Sequence, residues 1–140
     1  MKVKGDRAEI VRRDLLQRYP FPQIVGEKFI PESFLWYSLA KDGYKFRWHN
    51  VVGYIAEYLD DGLTRNGREL ARENSKYRSC HDNLVQSIIG IPFKEKLKAA
   101  INYYRYCLYA NISAKKLFQE SSNQVLSIIA FPIAKVMKIK

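Results

Sequence analysis

The chain has 140 residues, 47% of them hydrophobic and 27% charged, which is enough apolar material for one domain and excludes global disorder. Two cysteines, Cys80 and Cys107, are too few to staple a chain of this length and suit a reducing compartment. The net charge of +10 is lopsided, because residues 1–70 carry a net of +2 and residues 71–140 a net of +8.

In chain order, residues 8–11 read as a short strand and residues 14–18 as one or two helical turns that stop before Pro20. Residues 19–31 hold Pro20, Pro22, Gly26 and Pro31, too many breakers for a regular element, so a long loop is expected there. Pro31-Glu32-Ser33 opens a helix: proline suits the first turn, and Glu32 is favourable against the N-terminal dipole. Residues 34–40 supply its apolar bulk, and Asp42-Gly43 ends it, with Gly43 able to take the left-handed cap conformation.

Residues 44–48 alternate aromatic with basic, as a half-exposed strand does, and His49-Asn50 makes a turn into a β-branched and aromatic run over residues 51–58. These two form an expected antiparallel pair, ended by Asp60-Asp61-Gly62. Past Thr64 the character turns helical. Thr64 or Asn66 caps a segment through Glu73, residues 82–89 form a second helix ended by Gly90 and Pro92, and Leu97, Ile101, Tyr104 and Leu108 mark one face of a helix over residues 94–109. Residues 114–120 and 123–130 complete the set, the last interrupted by Pro132. The fold class expected is α+β: a small antiparallel sheet with helices and a mainly helical C-terminal half, arranged as regions 1–64 and 65–140 of one compact unit.

The longest apolar run, residues 125–134, contains Ser127 and Pro132 and falls short of the roughly 18 to 20 residues a membrane span needs. The first six residues hold no apolar stretch of a secretory signal, so the expected location is cytoplasmic. Nucleotide and phosphate loops of the Gly-x-Gly-x-x-Gly and Walker types, Cys-x-x-Cys pairs and His-Glu-x-x-His helices are all absent. His49 and His81 lie in no recognised nucleophile context, and Cys80-His81, being adjacent, is no zinc site, so no metal is assigned.

Tyr44, Phe46 and Trp48 share a strand face that points them to the core, the alternative being a platform that stacks bases or sugar rings. Glu27 in the proline-rich loop and Glu32 at the helix start are open to two readings: general base, or surface carboxylates that stabilise a dipole.

Several stretches taken together resemble the C-terminal, acceptor-side half of family 2 (GT-A type) glycosyltransferases, which build bacterial surface polysaccharides. They are residues 5–16, Tyr19-Pro20-Phe21-Pro22, Gly26-Glu27-Lys28-Phe29-Ile30-Pro31-Glu32, residues 39–46, and Glu57-Tyr58-Leu59-Asp60-Asp61-Gly62-Leu63-Thr64. Pro31-Glu32 falls where that family has Glu-Asp, with proline in place of the first acid. The resemblance implies Glu32 as the carboxylate that deprotonates an acceptor hydroxyl, Glu27 as second choice, and Asp60, Asp61 and Thr64 as substrate-binding residues, to which the aromatic and basic interleaving around Trp36 adds Trp36 as a ring that could stack on a sugar. It also implies a nucleotide-sugar donor and a saccharide or lipid-linked acceptor.

The divalent cation of such enzymes, magnesium or manganese, belongs to an Asp-x-Asp in a nucleotide-binding half that this sequence lacks. The chain is therefore expected to be a truncated frame or a fragment, inactive alone, with no cofactor of its own and able to form a homo-oligomer. Its +8 half suits a membrane surface or lipid-linked acceptor better than nucleic acid, and no nucleic-acid partner is expected. A basic helical module that binds anionic membrane or nucleic acid without catalysis is the alternative.

Overall fold

A computed structural model of the protein describes residues 8–49, 51–55, 57, 66–137 and 139. Among the described residues there are seven α-helices and no strand: α1 (Arg13–Arg18), α2 (Ser33–Lys41), α3 (Gly67–Glu73), α4 (Ser75–Ser87), α5 (Phe93–Tyr109), α6 (Ala114–Glu120) and α7 (Gln124–Val136). The α+β class with its small antiparallel sheet is therefore overturned in favour of an all-helical fold.

The expected strands share one physical reason for failing. β-propensity is expressed where a pleated surface has neighbours to pack against, and an isolated two-stranded ribbon is marginal in water. Ile10 is 96% exposed, and Val51, Val52 and Ile55 are exposed as well. Residues 56 and 58 of the last expected strand lie outside the described residues. Tyr44, Phe46 and Trp48 are exposed rather than in the core. Two of them lean on the α1–α2 region with ring edges instead, Tyr44 against Tyr19 at 6.2 Å and Phe46 against Trp36 at 5.9 Å.

The helix boundaries follow local chemistry closely in three places. At the end of α2, Gly43 takes φ +84° while its N–H reaches the carbonyl of Ala40 and that of Tyr44 reaches Leu39, a Schellman closure. At the end of α5, Asn111 does the same at φ 57°, donating to Leu108 while Ile112 donates to Cys107. The start of α7 is capped by the Asn123 side chain, which accepts from the Leu126 N–H at 3.0 Å.

Two boundaries differ from expectation. Helix α7 runs through Pro132 to Val136. The carbonyl that Pro132 cannot pair, four residues back at Ile128, belongs to a residue 71% exposed, so the lost bond falls on the solvent side. Helix α4 begins at Ser75, seven residues before the expected Asp82, because its first half is buried through hydrogen bonds rather than through an apolar stripe.

Among the described residues, two clusters make the core. The larger joins Ala100, Tyr103, Tyr104 and Cys107 of α5 to Leu117 of α6 and to Leu126, Ala130 and Ala134 of α7. The alanines at this contact let α5 and α7 approach closely, and Phe118, tilted, and Phe131, edge-on, close over Tyr104 at 5.5 and 5.3 Å. The smaller cluster holds Leu15, Leu35 and Leu39 with Val11, Tyr19, Phe21 and Trp36 around them. Helix α4 packs on α2 to one side and most extensively on α5 to the other, and so links the two clusters.

Tyr104 is fully buried and its hydroxyl has no hydrogen-bond partner among the described residues. An orphaned hydroxyl of this kind costs stability, so Tyr104→Phe is expected to raise the unfolding free energy by about 1 kcal/mol, whereas Leu117→Ala in the same cluster lowers it by about 2–5 kcal/mol. Denaturant titration of both variants checks the opposite signs. The Tyr19 hydroxyl donates to Asp42 at 2.5 Å, and that bond, more than any burial, pushes its pKa up to about 12. A folded-state value above the ordinary one of about 10 means that the stabilisation is complete below pH ~10 and is lost as pH rises through the folded value. Tyr19→Phe should flatten stability over that alkaline window and leave it unchanged in slope near neutrality.

Candidate functional site

The proline-rich loop between α1 and α2 is held by side chains at the α3–α4 junction. Glu27 sits at the N-terminus of α4, where one carboxylate oxygen accepts the backbone N–H of Lys76 at 2.9 Å and the other that of Tyr77 at 2.7 Å. A carboxylate there satisfies two helix N–H groups that have no partner within the helix, and it lies at the positive end of the helix dipole. Asn74, between α3 and α4, returns the grip: its Oδ1 accepts the N–H groups of Lys28 at 2.8 Å and Phe29 at 2.9 Å, and its Nδ2 donates to Leu70 at 2.8 Å. The Tyr77 hydroxyl accepts the Ile24 N–H at 3.0 Å. Gly26, at φ +85°, makes the turn that carries Glu27 to the helix end.

This clamp leaves a cleft of about 210 Å³ beside it, lined by Phe29, Pro31, Gly67, Leu70, Ala71, Asn74 and Arg78. Its walls are mostly apolar, with the Asn74 amide and the Arg78 guanidinium as polar features. Glu32 follows Pro31 at the start of α2 and is exposed.

Behind the cleft a buried polar chain fastens α2 to α4. Ser33 Oγ lies 3.0 Å from His81 Nε2, His81 Nδ1 lies 3.4 Å from Asp82 Oδ1, and Arg78 Nε donates to Asp82 Oδ2 at 3.1 Å. The order serine, histidine, aspartate is that of a nucleophile relay, but the surroundings are those of a structural tie. His81 is 7% exposed, the Tyr37 ring packs against it edge-on at 5.3 Å, and Asp82 is shared with Arg78. A buried acid paired and hydrogen-bonded in this way fixes where the first turn of α2 sits, and with it Glu32.

Glu32 heads α2 and makes no side-chain hydrogen bond to the helix, so its carboxylate is not committed to capping. Glu27 is committed, through both oxygens, to the α4 backbone. Trp36 packs in the smaller core cluster and against Phe46, and is not among the residues lining the cleft. Asp60, Asp61 and Thr64 lie outside the described residues. No group of three or more histidine, cysteine or acidic side chains suited to a metal ion is present among the described residues. Asn74, Tyr77 and Arg78 are not legible in the sequence pattern, because they fall in a polar stretch with no apolar period. Their one visible signal is that an asparagine separates two helical segments.

Comparison with protein-family models, with characterised proteins and with solved structures returns no match to the chain.

Losing the carboxylate of the clamp has a defined cost. Glu27→Ala removes two charge-assisted bonds to a helix N-terminus and should destabilise the protein by about 2–3 kcal/mol. Glu27→Gln, which keeps one acceptor but turns an amide NH2 toward a backbone N–H, should recover less than half of that loss. Thermal unfolding of the two variants in parallel checks the ranking, and a Gln variant as stable as the parent would contradict the capping geometry.

Proposed function

We propose that the chain is the acceptor-side portion of a sugar transferase and that the cleft between the 24–31 loop and the α3–α4 junction receives the acceptor sugar. The observation that supports this most is the placement of Pro31 in the cleft wall with Glu32 next in the chain. Glu32 is an exposed carboxylate free of capping duty, one residue beyond the wall of a mostly apolar recess. In this reading Glu32 takes the proton from the acceptor hydroxyl as that oxygen attacks the anomeric carbon of a nucleotide-sugar, and the nucleoside diphosphate leaves with the electrons of the broken bond. Phe29 offers an aromatic ring to the apolar face of a sugar and Arg78 offers donors to its hydroxyls.

The size of the cleft favours the acceptor over the donor. At about 210 Å³ it is below the roughly 300–1,000 Å³ typical of pockets that enclose a drug-sized ligand, which suits one sugar unit and not a whole nucleotide-sugar. Glu27 serves the reaction by holding the loop that carries Phe29 and Pro31, not by moving a proton. The donor, and with it magnesium or manganese, belongs in this reading to a nucleotide-binding half, and the reaction to the cytoplasm.

Amide-detected NMR of the full chain, titrated in turn with a panel of disaccharides and with a nucleotide-sugar plus manganese, tests this. The expected result is a set of shifts confined to Phe29, Glu32, Leu70 and Arg78 for the saccharides, weakened by Arg78→Ala, and donor binding no tighter than millimolar. Saccharides that leave those amides unmoved would overturn the acceptor reading, and micromolar donor binding would overturn the division of the two sites.

A further inference from the structure

Helix α7 has two apolar faces where a globular helix requires one. Its inner face, Leu126, Ala130 and Ala134, is buried in the larger core cluster beside α5. Its outer face carries Val125, Ile128, Ile129, Pro132 and Val136, and Ile128 and Val136 are 71% and 87% exposed. At 100° per residue these five positions fall within an arc of roughly 100°, with Gln124 and Lys135 along one border. Single exposed apolar residues are ordinary on a protein surface, but a continuous stripe of five on one helix marks a docking face.

We propose that this face lies on an anionic lipid bilayer, with α7 parallel to the surface and its branched side chains entering the boundary between headgroups and acyl chains. Charge selects the occupant. The half of the chain that contains α7 carries a net of +8, and Lys135, Lys138 and Lys140 follow one another along and beyond its C-terminal end. Lys135 stands 4.8 Å above the Phe131 ring, at the border of the stripe, where its ammonium can meet lipid phosphate while the apolar residues insert. A second copy docked face to face would bring two such basic halves together, a repulsion that an anionic surface turns into attraction. Nucleic acid would satisfy the lysines but has no apolar layer for Ile128, Ile129 and Val136.

The length of the helix agrees with lying flat: 13 residues at ~1.5 Å each make about 20 Å, short of the ~30 Å hydrocarbon core. None of the helices among the described residues is long and apolar enough to cross a membrane. The inference rests on α7 alone and stands apart from the sugar-transfer reading of the cleft.

Flotation of the full chain with phosphatidylcholine vesicles containing about one-third phosphatidylglycerol, at low and high salt, tests the proposal. The chain should float with these vesicles, less so at high salt, and the Ile128→Ser, Ile129→Ser double variant should bind about tenfold more weakly. Both positions are exposed, and far-UV circular dichroism of the variant checks that the helices persist. A Val125→Trp variant provides an independent readout: the fluorescence of its added indole should shift to the blue on the vesicles and be quenched by brominated lipid. Equal binding by the double variant would show attraction by charge alone and overturn the proposal. So would an added indole that brominated lipid leaves unquenched, or a wild-type chain that ignores the vesicles and instead dimerises through the same isoleucines.

Discussion

The proline-rich loop between α1 and α2 depends above all on one polar contact, the pairing of the Glu27 carboxylate with the free Lys76 and Tyr77 amides at the start of α4. A loop with three prolines cannot hold itself in place by backbone ladders, because proline donates nothing and bars regular structure on either side. It is held from outside. Glu27 reaches in to α4, and Asn74 reaches back to the loop amides of Lys28 and Phe29, so that each partner satisfies backbone groups that would otherwise be left without one. The exchange fixes Phe29 and Pro31 opposite Leu70 and Arg78, and the cleft is the space between them.

The second tie, from Ser33 through His81 and Asp82 to Arg78, uses the same logic at the other end of the loop. Between them, the two ties define both ends of residues 27–33 against a single helix. Helix α4 is thereby a polar strut: it is buried by α2 and α5, yet its contribution to the N-terminal side is a row of hydrogen-bonding groups. The larger share of the apolar packing lies in the contact of α5 with α7 around Tyr104 and the core alanines, the smaller in the leucine cluster of α1 and α2. An apolar, lipid-facing outer stripe on α7 would put the cleft on a body anchored through a helix whose inner face packs against α5.

How much of this could be read from the sequence depended on whether a signal was local. The helix from Phe93 to Tyr109, with its four-three-four spacing of Leu97, Ile101, Tyr104 and Leu108, was legible because an amphipathic stripe is written in one segment. So was α2, opened by proline and closed by Gly43 in the left-handed conformation. The segment around Tyr44, Phe46 and Trp48 has the pattern of a strand because alternation and aromatic content are also local. Strand formation, however, needs a partner that the segment does not name, and the rings of Tyr44 and Phe46 settle on Tyr19 and Trp36 instead. The proline at position 132 was read as a stop because nothing local says that the orphaned carbonyl will face water. Of the candidate site, Glu27 and Glu32 were singled out from the sequence, but their separation into a clamp and a free carboxylate was not visible there. It depends on residues 74–77, some fifty positions away, whose amides and side chains carry no pattern of their own.

Glu27 and Asn74 act as one reciprocal clamp, and amide hydrogen exchange of the wild type against Asn74→Ala measures this coupling most directly. The variant should lose protection not only at Lys28 and Phe29, which bond to Asn74, but also at Lys76 and Tyr77, which bond to Glu27 across the junction. Unchanged exchange at Lys76 and Tyr77 in that variant would show two independent contacts, and a cleft that does not depend on the clamp.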